Sequence, residues 1–183
     1  MNDVPGALAR AQEFSGFLAL LLQRNPSVSA LLATGSIELA YEAALACGEG
    51  ATDMAQALRQ RRNALALVTA VADLSGAWDL GRVMRVLSDF ADNALDDAIR
   101  TAFAERFSDE ESRGFSVIAL GKLGSRELNY SSDIDPIFIF DPATMPRRAR
   151  EEPIEAAVRI GRRVVELLSK RDGDGYVVRV DLR

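Results

Sequence analysis

The segment GKLGSRELNYSSDID, residues 121–135, gathers two glycines, a lysine, a serine and two aspartates between the apolar runs FSVIAL and PIFIF. Asp133 and Asp135 are two residues apart, so on an extended strand they leave on one face while Ile134 leaves on the other. Carboxylates held about 6–7 Å apart repel each other unless a cation lies between them. A hard divalent ion with oxygen ligands is the natural partner. Farther along, YVVRVDLR (176–183) alternates so that Arg179, Asp181 and Arg183 share a face. If the two strands are neighbours, Asp181 completes a three-carboxylate site. Such a triad can hold one or two magnesium ions and assist displacement at phosphorus.

The glycines suit the same chemistry. LGKLGS reads as a strand-to-helix turn. Gly121 and Gly124 let the backbone approach a ligand, and the helix that follows offers unpaired N–H groups to an anion. Lys122 adds positive charge, and Ser125 is placed to cap that helix or to bind phosphate. Taken singly, an Asp-x-Asp pair is more often a solvated strand end, and glycine turns are common in loops. Glycine turn, aspartate pair opening an apolar strand, and a lone aspartate in a later strand are together hard to explain as packing.

Composition narrows the chemistry further. The 183 residues are 48% apolar and 27% charged, an ordinary globular balance. There is no histidine and Cys47 is the only cysteine, so imidazole bases, thiolate zinc cages and intrachain disulfides are excluded. Catalysis must rest on carboxylates, Lys, Arg, hydroxyls and hard cations. The net charge of -5 argues against a broad nucleic-acid surface. No apolar run approaches the roughly 20 residues of a membrane span, and MNDVPGALARAQ lacks the pattern of a secretory signal. A cytoplasmic protein with no membrane or nucleic-acid partner is expected.

The elements that must position these residues fall into two regions. Residues 1–113 read as helices. A first helix runs from Pro5 to about Asn25 on Leu8, Phe14, Phe17, Leu18, Leu21 and Leu22, and a short one spans Ser27 to Ala33. A third is capped by Ser36 and stopped by Gly48, and a fourth is opened by Thr52 or Asp53 and ends at Gly76. Asp79 starts a long amphipathic helix with Val83, Leu87, Phe90, Ala91, Ala94, Leu95, Ala98, Ile99 and Ala102 inward. Arg59, Arg61 and Arg62 read as a solvated basic stripe. The polar cluster 108–114 marks a domain boundary. Residues 114–183 follow with Phe115–Leu120 and Ile134–Phe140 as strands buried on both faces. Next come a helix over Ile154–Lys170, with Ile154, Val158, Val164, Val165 and Leu168 inward, and a third strand, Tyr176–Leu182.

GKLGSRELNYSSDIDPIFIFD closely resembles the signature of the bifunctional glutamine synthetase adenylyltransferase/adenylyl-removing enzymes, within the polymerase-beta-like nucleotidyltransferase superfamily. The resemblance runs from Leu58 to Arg183, and VLSDFADNAL looks like the first of that family's two related catalytic halves. It implies an α+β fold: an all-helical N-terminal region, then a small mixed-sheet nucleotidyltransferase core, expected to be truncated at its C-terminus. It also implies phosphorolytic removal of AMP from an adenylyl-tyrosine of glutamine synthetase, releasing ADP. Asp133, Asp135 and Asp181 match the metal-binding and catalytic carboxylates. Gly121, Lys122, Gly124 and Ser125 match the phosphate turn, with Arg179 and Arg183 beside Asp181. Magnesium, phosphate and ADP, or ATP, are the implied small molecules; glutamine synthetase and a nitrogen-signalling PII-type regulator are the implied partners. Two alternatives are AMP transfer from ATP and a docking module without catalysis. Ser125 stands where the family has glycine, and Pro136 where it has a large aliphatic residue.

Overall fold

The computed structural model describes residues 2–107 and 112–182. Among them are eight helices and one two-stranded antiparallel sheet, an α+β architecture. The chain divides into two compact units, residues 1–86 and 87–183. Residues 108–111 of the expected boundary cluster lie outside the described residues, and the units part inside the sixth helix.

The first unit holds α1 (Val4–Phe14), α2 (Gly16–Arg24), α3 (Pro26–Ala33), α4 (Ile37–Leu45) and α5 (Met54–Leu74). The single first helix expected from periodicity is two. Ser15 adopts an extended conformation, and its hydroxyl accepts from Leu18 N at 3.2 Å, so it caps α2 instead of continuing α1. Phe14 and Phe17 are consequently exposed. Ser36 precedes α4, but its hydroxyl pairs with that of Thr34 at 3.0 Å and makes no cap. Asp53 does cap α5, accepting from Gln56 N at 2.8 Å. Arg10 donates to the Leu74 carbonyl at 2.9 Å, placing a cation at the carboxyl end of α5. Arg59 is buried and Arg61 and Arg62 are half-buried, so they form no solvated stripe. Trp78 is also buried, edge-on to Tyr41, with its Nε1–H on Glu38 at 3.1 Å.

α6 (Leu80–Ala104) opens on Asp79, whose Oδ1 accepts from Arg82 N at 2.7 Å. Its buried face follows the expected stripe except that Leu87 and Phe90 are half-buried and Ser88 is fully buried. In the second unit, β1 (Phe115–Leu120) pairs with β2 (Asp135–Phe140), with Phe115 opposite Phe140 and Leu120 opposite Asp135. The short α7 (Gly121–Gly124) follows β1 directly, and α8 (Pro153–Ser169) follows β2. Phe103 of α6 meets Phe115 at 6.1 Å, and Phe115 meets Phe138 at 5.5 Å. α8 closes on the same face: a Cβ on Gly161 would stand 3.3 Å from the Phe138 ring.

Neither strand is buried on both faces. The face carrying Phe115 and Phe138 packs inward, while Ile118, Leu120 and Ile139 on the other are exposed. Ile154 and Val158 of α8 are exposed too, because the inward stripe runs through Ala157, Ile160, Gly161, Val164 and Leu168, where small residues allow close approach. Tyr176–Leu182 is not a full strand. It contributes one parallel bridge, Val180 to Ile134. Upstream of the bridge, the N–H groups of Val177 and Val178 both bond the Leu168 carbonyl at 3.0 and 3.1 Å, closing the end of α8. Downstream, the next donor in a parallel ladder would be residue 136, and proline has none.

Candidate active site

The corner where β1 ends and β2 begins sets two of the expected residues, Gly121 and Asp135, side by side. Leu120 pairs with Asp135, so Gly121 starts its turn beside that carboxylate. Gly121 has φ +55°, and a Cβ there would stand 2.9 Å from Asp135 Oδ2. The missing side chain leaves the space against which Asp135 lies. Gly124 has a different reason to be glycine: a Cβ would come within 2.4 Å of the Ala119 carbonyl oxygen. Its bareness accommodates the chain itself.

The helix expected after the glycine turn is the turn itself. Gly121–Gly124 forms the single turn α7, and Ser125 ends it as C-cap. The Ser125 hydroxyl donates back to the carbonyls of Gly121 and Lys122 at 3.3 Å each, so it opens no helix. Lys122 is exposed. Beyond it, Asn129 and Ser132 close a reciprocal turn: Ser132 Oγ donates to Asn129 Oδ1 at 2.8 Å, and Asn129 N–H donates to Ser132 Oγ at 3.2 Å. That turn delivers the chain to Asp133.

At the bridge, Ile134 N–H donates to the Arg179 carbonyl and Asp181 N–H donates to the Ile134 carbonyl, both at 2.9 Å. Ile134 is fully buried, so the opposite face of this edge carries Asp133, Asp135, Arg179 and Asp181. The Arg179 guanidinium donates to the Ser131 carbonyl at 2.6 Å, tying the loop before Asp133 to the segment bearing Asp181. Arg183 lies outside the described residues.

The donors fit magnesium in kind, since all are carboxylate oxygens, and their backbone positions share one face beside a glycine gap. Among the described residues no three carboxylates converge into a ready metal cage.

Residues 6–183 match the family described as glutamate-ammonia ligase adenylyltransferase. The chain belongs to that family. Similar proteins include the bifunctional glutamine synthetase adenylyltransferase/adenylyl-removing enzymes of Xanthobacter autotrophicus and Caulobacter vibrioides. The first is 41% identical over 77% of this chain and 15% of its own length; the second is 35% identical over 97% of this chain and 20% of its own. The chain thus spans a fifth or less of the length of these relatives.

In this member of the glutamate-ammonia ligase adenylyltransferase family, the site loop has supports that local sequence reading missed. Arg126 is left-handed, φ +59°, and its guanidinium pairs with Asp89 and, at 3.1 Å, with Asp92 of α6. Leu128 N–H donates to the buried Ser88 hydroxyl at 3.3 Å. A serine inside the apolar stripe of α6 was the available signal. Burial pushes the Asp92 carboxyl above its ordinary value, Asp89 and Asp96 push the same way, and Arg126 opposes them.

Proposed function

We propose that this chain carries the metal-dependent nucleotidyl site for phosphorolytic removal of AMP from an adenylyl-tyrosine of glutamine synthetase. The observation that carries the reading is the register at Ile134 and Val180, which gathers Asp133, Asp135 and Asp181 on one face beside the Gly121 turn. The family assignment supplies the substrate class, because its relatives' names couple adenylyl transfer and removal to glutamine synthetase. The likeness of VLSDFADNAL to the first catalytic half favours removal.

In the reaction, an oxygen of inorganic phosphate attacks the adenylyl phosphorus. A P–O bond to phosphate forms as the P–O bond to the tyrosine oxygen breaks. The phenolate leaves and takes up the proton carried in by phosphate, and ADP departs. Asp133, Asp135 and Asp181 would hold magnesium, which when bound supplies charge neutralisation on the phosphoryl oxygens and alignment of the entering and leaving oxygens. The backbone at Gly121 and the Lys122 ammonium would bind the phosphate. No imidazole base is needed, since phosphate arrives as an anion and the chain has no histidine. Glutamine synthetase is then the protein substrate, a PII-type protein the regulatory partner, and the cytoplasm the place of action. Among the described residues no helix is long and apolar enough to cross a membrane.

The test uses the chain by itself and grafted in place of the corresponding segment of the Caulobacter relative. Each is incubated with adenylylated glutamine synthetase, magnesium and phosphate, and ADP is measured. Phosphate-dependent ADP that falls about a hundredfold or more in Asp135→Asn supports the reading. AMP transfer from ATP without ADP release would establish the opposite direction. Neither activity in either form would leave a docking module.

A further inference from the structure

Arg126 has a left-handed backbone and a guanidinium held by two carboxylates three residues apart on α6. We propose that Asp89 and Asp92, acting through Arg126, are positioning residues for Asp133, which shares its face with Asp135. The inference rests on the reading of those aspartates as the reacting site and deepens it.

An isolated exposed ion pair contributes little, and the side chains of Arg126, Asp89 and Asp92 are each about half exposed. Three features set this one apart. Asp89 and Asp92 lie on one face of α6, so they grip the guanidinium from two sides. The grip falls on a bend that an L-residue rarely adopts. Two residues on, Leu128 is buried and its N–H reaches the fully buried Ser88, so α6 holds the loop at adjacent points. The far end is held by Arg179 on the Ser131 carbonyl and by the bridge at Ile134. Only the Asn129–Ser132 turn lies between these anchors and Asp133. Loosening the α6 end therefore changes how the loop presents Asp133, while Asp135, paired with Leu120, and the core around Phe103 stay in place.

The test compares wild type with the double variant Asp89→Asn/Asp92→Asn, with Arg126→Gly, which keeps the bend without the grip, and with Arg126→Lys, which keeps the charge without the fork. Amide hydrogen exchange is read over residues 126–133, with Pro153–Ser169 of α8 as internal reference. Both the double variant and Arg126→Gly should exchange about tenfold faster in the loop with α8 unchanged, and Arg126→Lys should fall between them and wild type. In the ADP assay, kcat of the double variant should drop about ten- to a hundredfold while KM for adenylylated glutamine synthetase stays put. Wild-type loop exchange in the double variant and in Arg126→Gly overturns the proposal, as does a raised KM at unchanged kcat. If the double variant also exposes α8, the two Arg126 variants decide. The exchange experiment needs no substrate, so absence of ADP release from both the wild-type chain and its graft defeats the deadenylylation reading and still leaves the clamp decided by its own measurement.

Discussion

The carboxylate of Asp135 occupies the space that a side chain on Gly121 would need: Oδ2 lies 2.9 Å from where the Cβ would be. The pair links the turn after β1 to the first residue of β2, and the proposed site spans that contact. Gly121→Ala should therefore act in two ways. The left-handed backbone, φ +55°, costs an alanine about 1–2 kcal/mol. The new methyl group also displaces the Asp135 carboxylate. Manganese binding by the chain, followed by water-proton relaxation, should weaken about tenfold or more with the fold retained. Wild-type affinity in Gly121→Ala would show that Asp135 needs no such gap.

Gly124→Ala should fail for another reason. Its Cβ would meet the Ala119 carbonyl oxygen at 2.4 Å, and that oxygen belongs to the paired backbone of β1, which cannot step aside as a side-chain tip can. The expected result is a stability loss of about 1–3 kcal/mol, read by urea denaturation. Loss of phosphate-dependent activity at unchanged stability would instead make Gly124 a ligand contact.

These two glycines illustrate what was legible in the sequence. Both are expected from sequence to let the backbone approach a ligand, yet one leaves room for the neighbouring carboxylate and the other for the chain's own carbonyl, a difference carried only by the β1–α7 geometry. Helix starts at Asp53 and Asp79 were readable because capping is local. The shared face of Asp133 and Asp135 was readable because strand alternation is local. The break at Ser15 was not, since a serine within an apolar periodicity can either continue a helix or cap the next. Burial of the strands was misjudged because Ile118 and Ile139 are as apolar as core residues, and only the packing of α6 and α8 on one face decides which side stays open. The grip on Arg126 joins residues 34 and 37 apart in sequence, and no local rule tells a cation which helix it will meet.

Glu38 provides a pH-dependent prediction in the first unit. The hydrogen bond from Arg82 holds its carboxyl below the ordinary value of 4.5, burial opposes this, and the Trp78 N–H adds to it. A folded value below the unfolded one means that the contribution is full above the unfolded value and is lost as pH falls through the folded value. Glu38→Gln should accordingly cost under about 1 kcal/mol near neutrality, the pair being largely exposed. The difference from wild type should vanish in acid below the folded value. Denaturant unfolding at about pH 7 and about pH 3 checks this. An equal difference at both would mean that the carboxylate charge plays no part.

Pro136 makes the sharpest prediction about the sheet itself. The parallel pairing of Ile134 with Val180 uses Ile134 N–H to the Arg179 carbonyl and Asp181 N–H to the Ile134 carbonyl. Continuing it requires an N–H at residue 136 directed at the Asp181 carbonyl, and proline supplies none. Pro136→Leu restores the donor in a residue whose pairing with Ala119 on the other side is already set by the β1–β2 register. One new ladder bond contributes about 0.5–1.5 kcal/mol, part of which the larger side chain offsets at a buried position. The observable consequence is slowed exchange at the amide of residue 136, together with extended coupling constants for Asp181 and Leu182. Because Asp181 shares its face with Asp133 and Asp135, the same variant should also tighten manganese binding. A residue-136 amide that exchanges freely would show that the strand stops for a reason other than the missing donor.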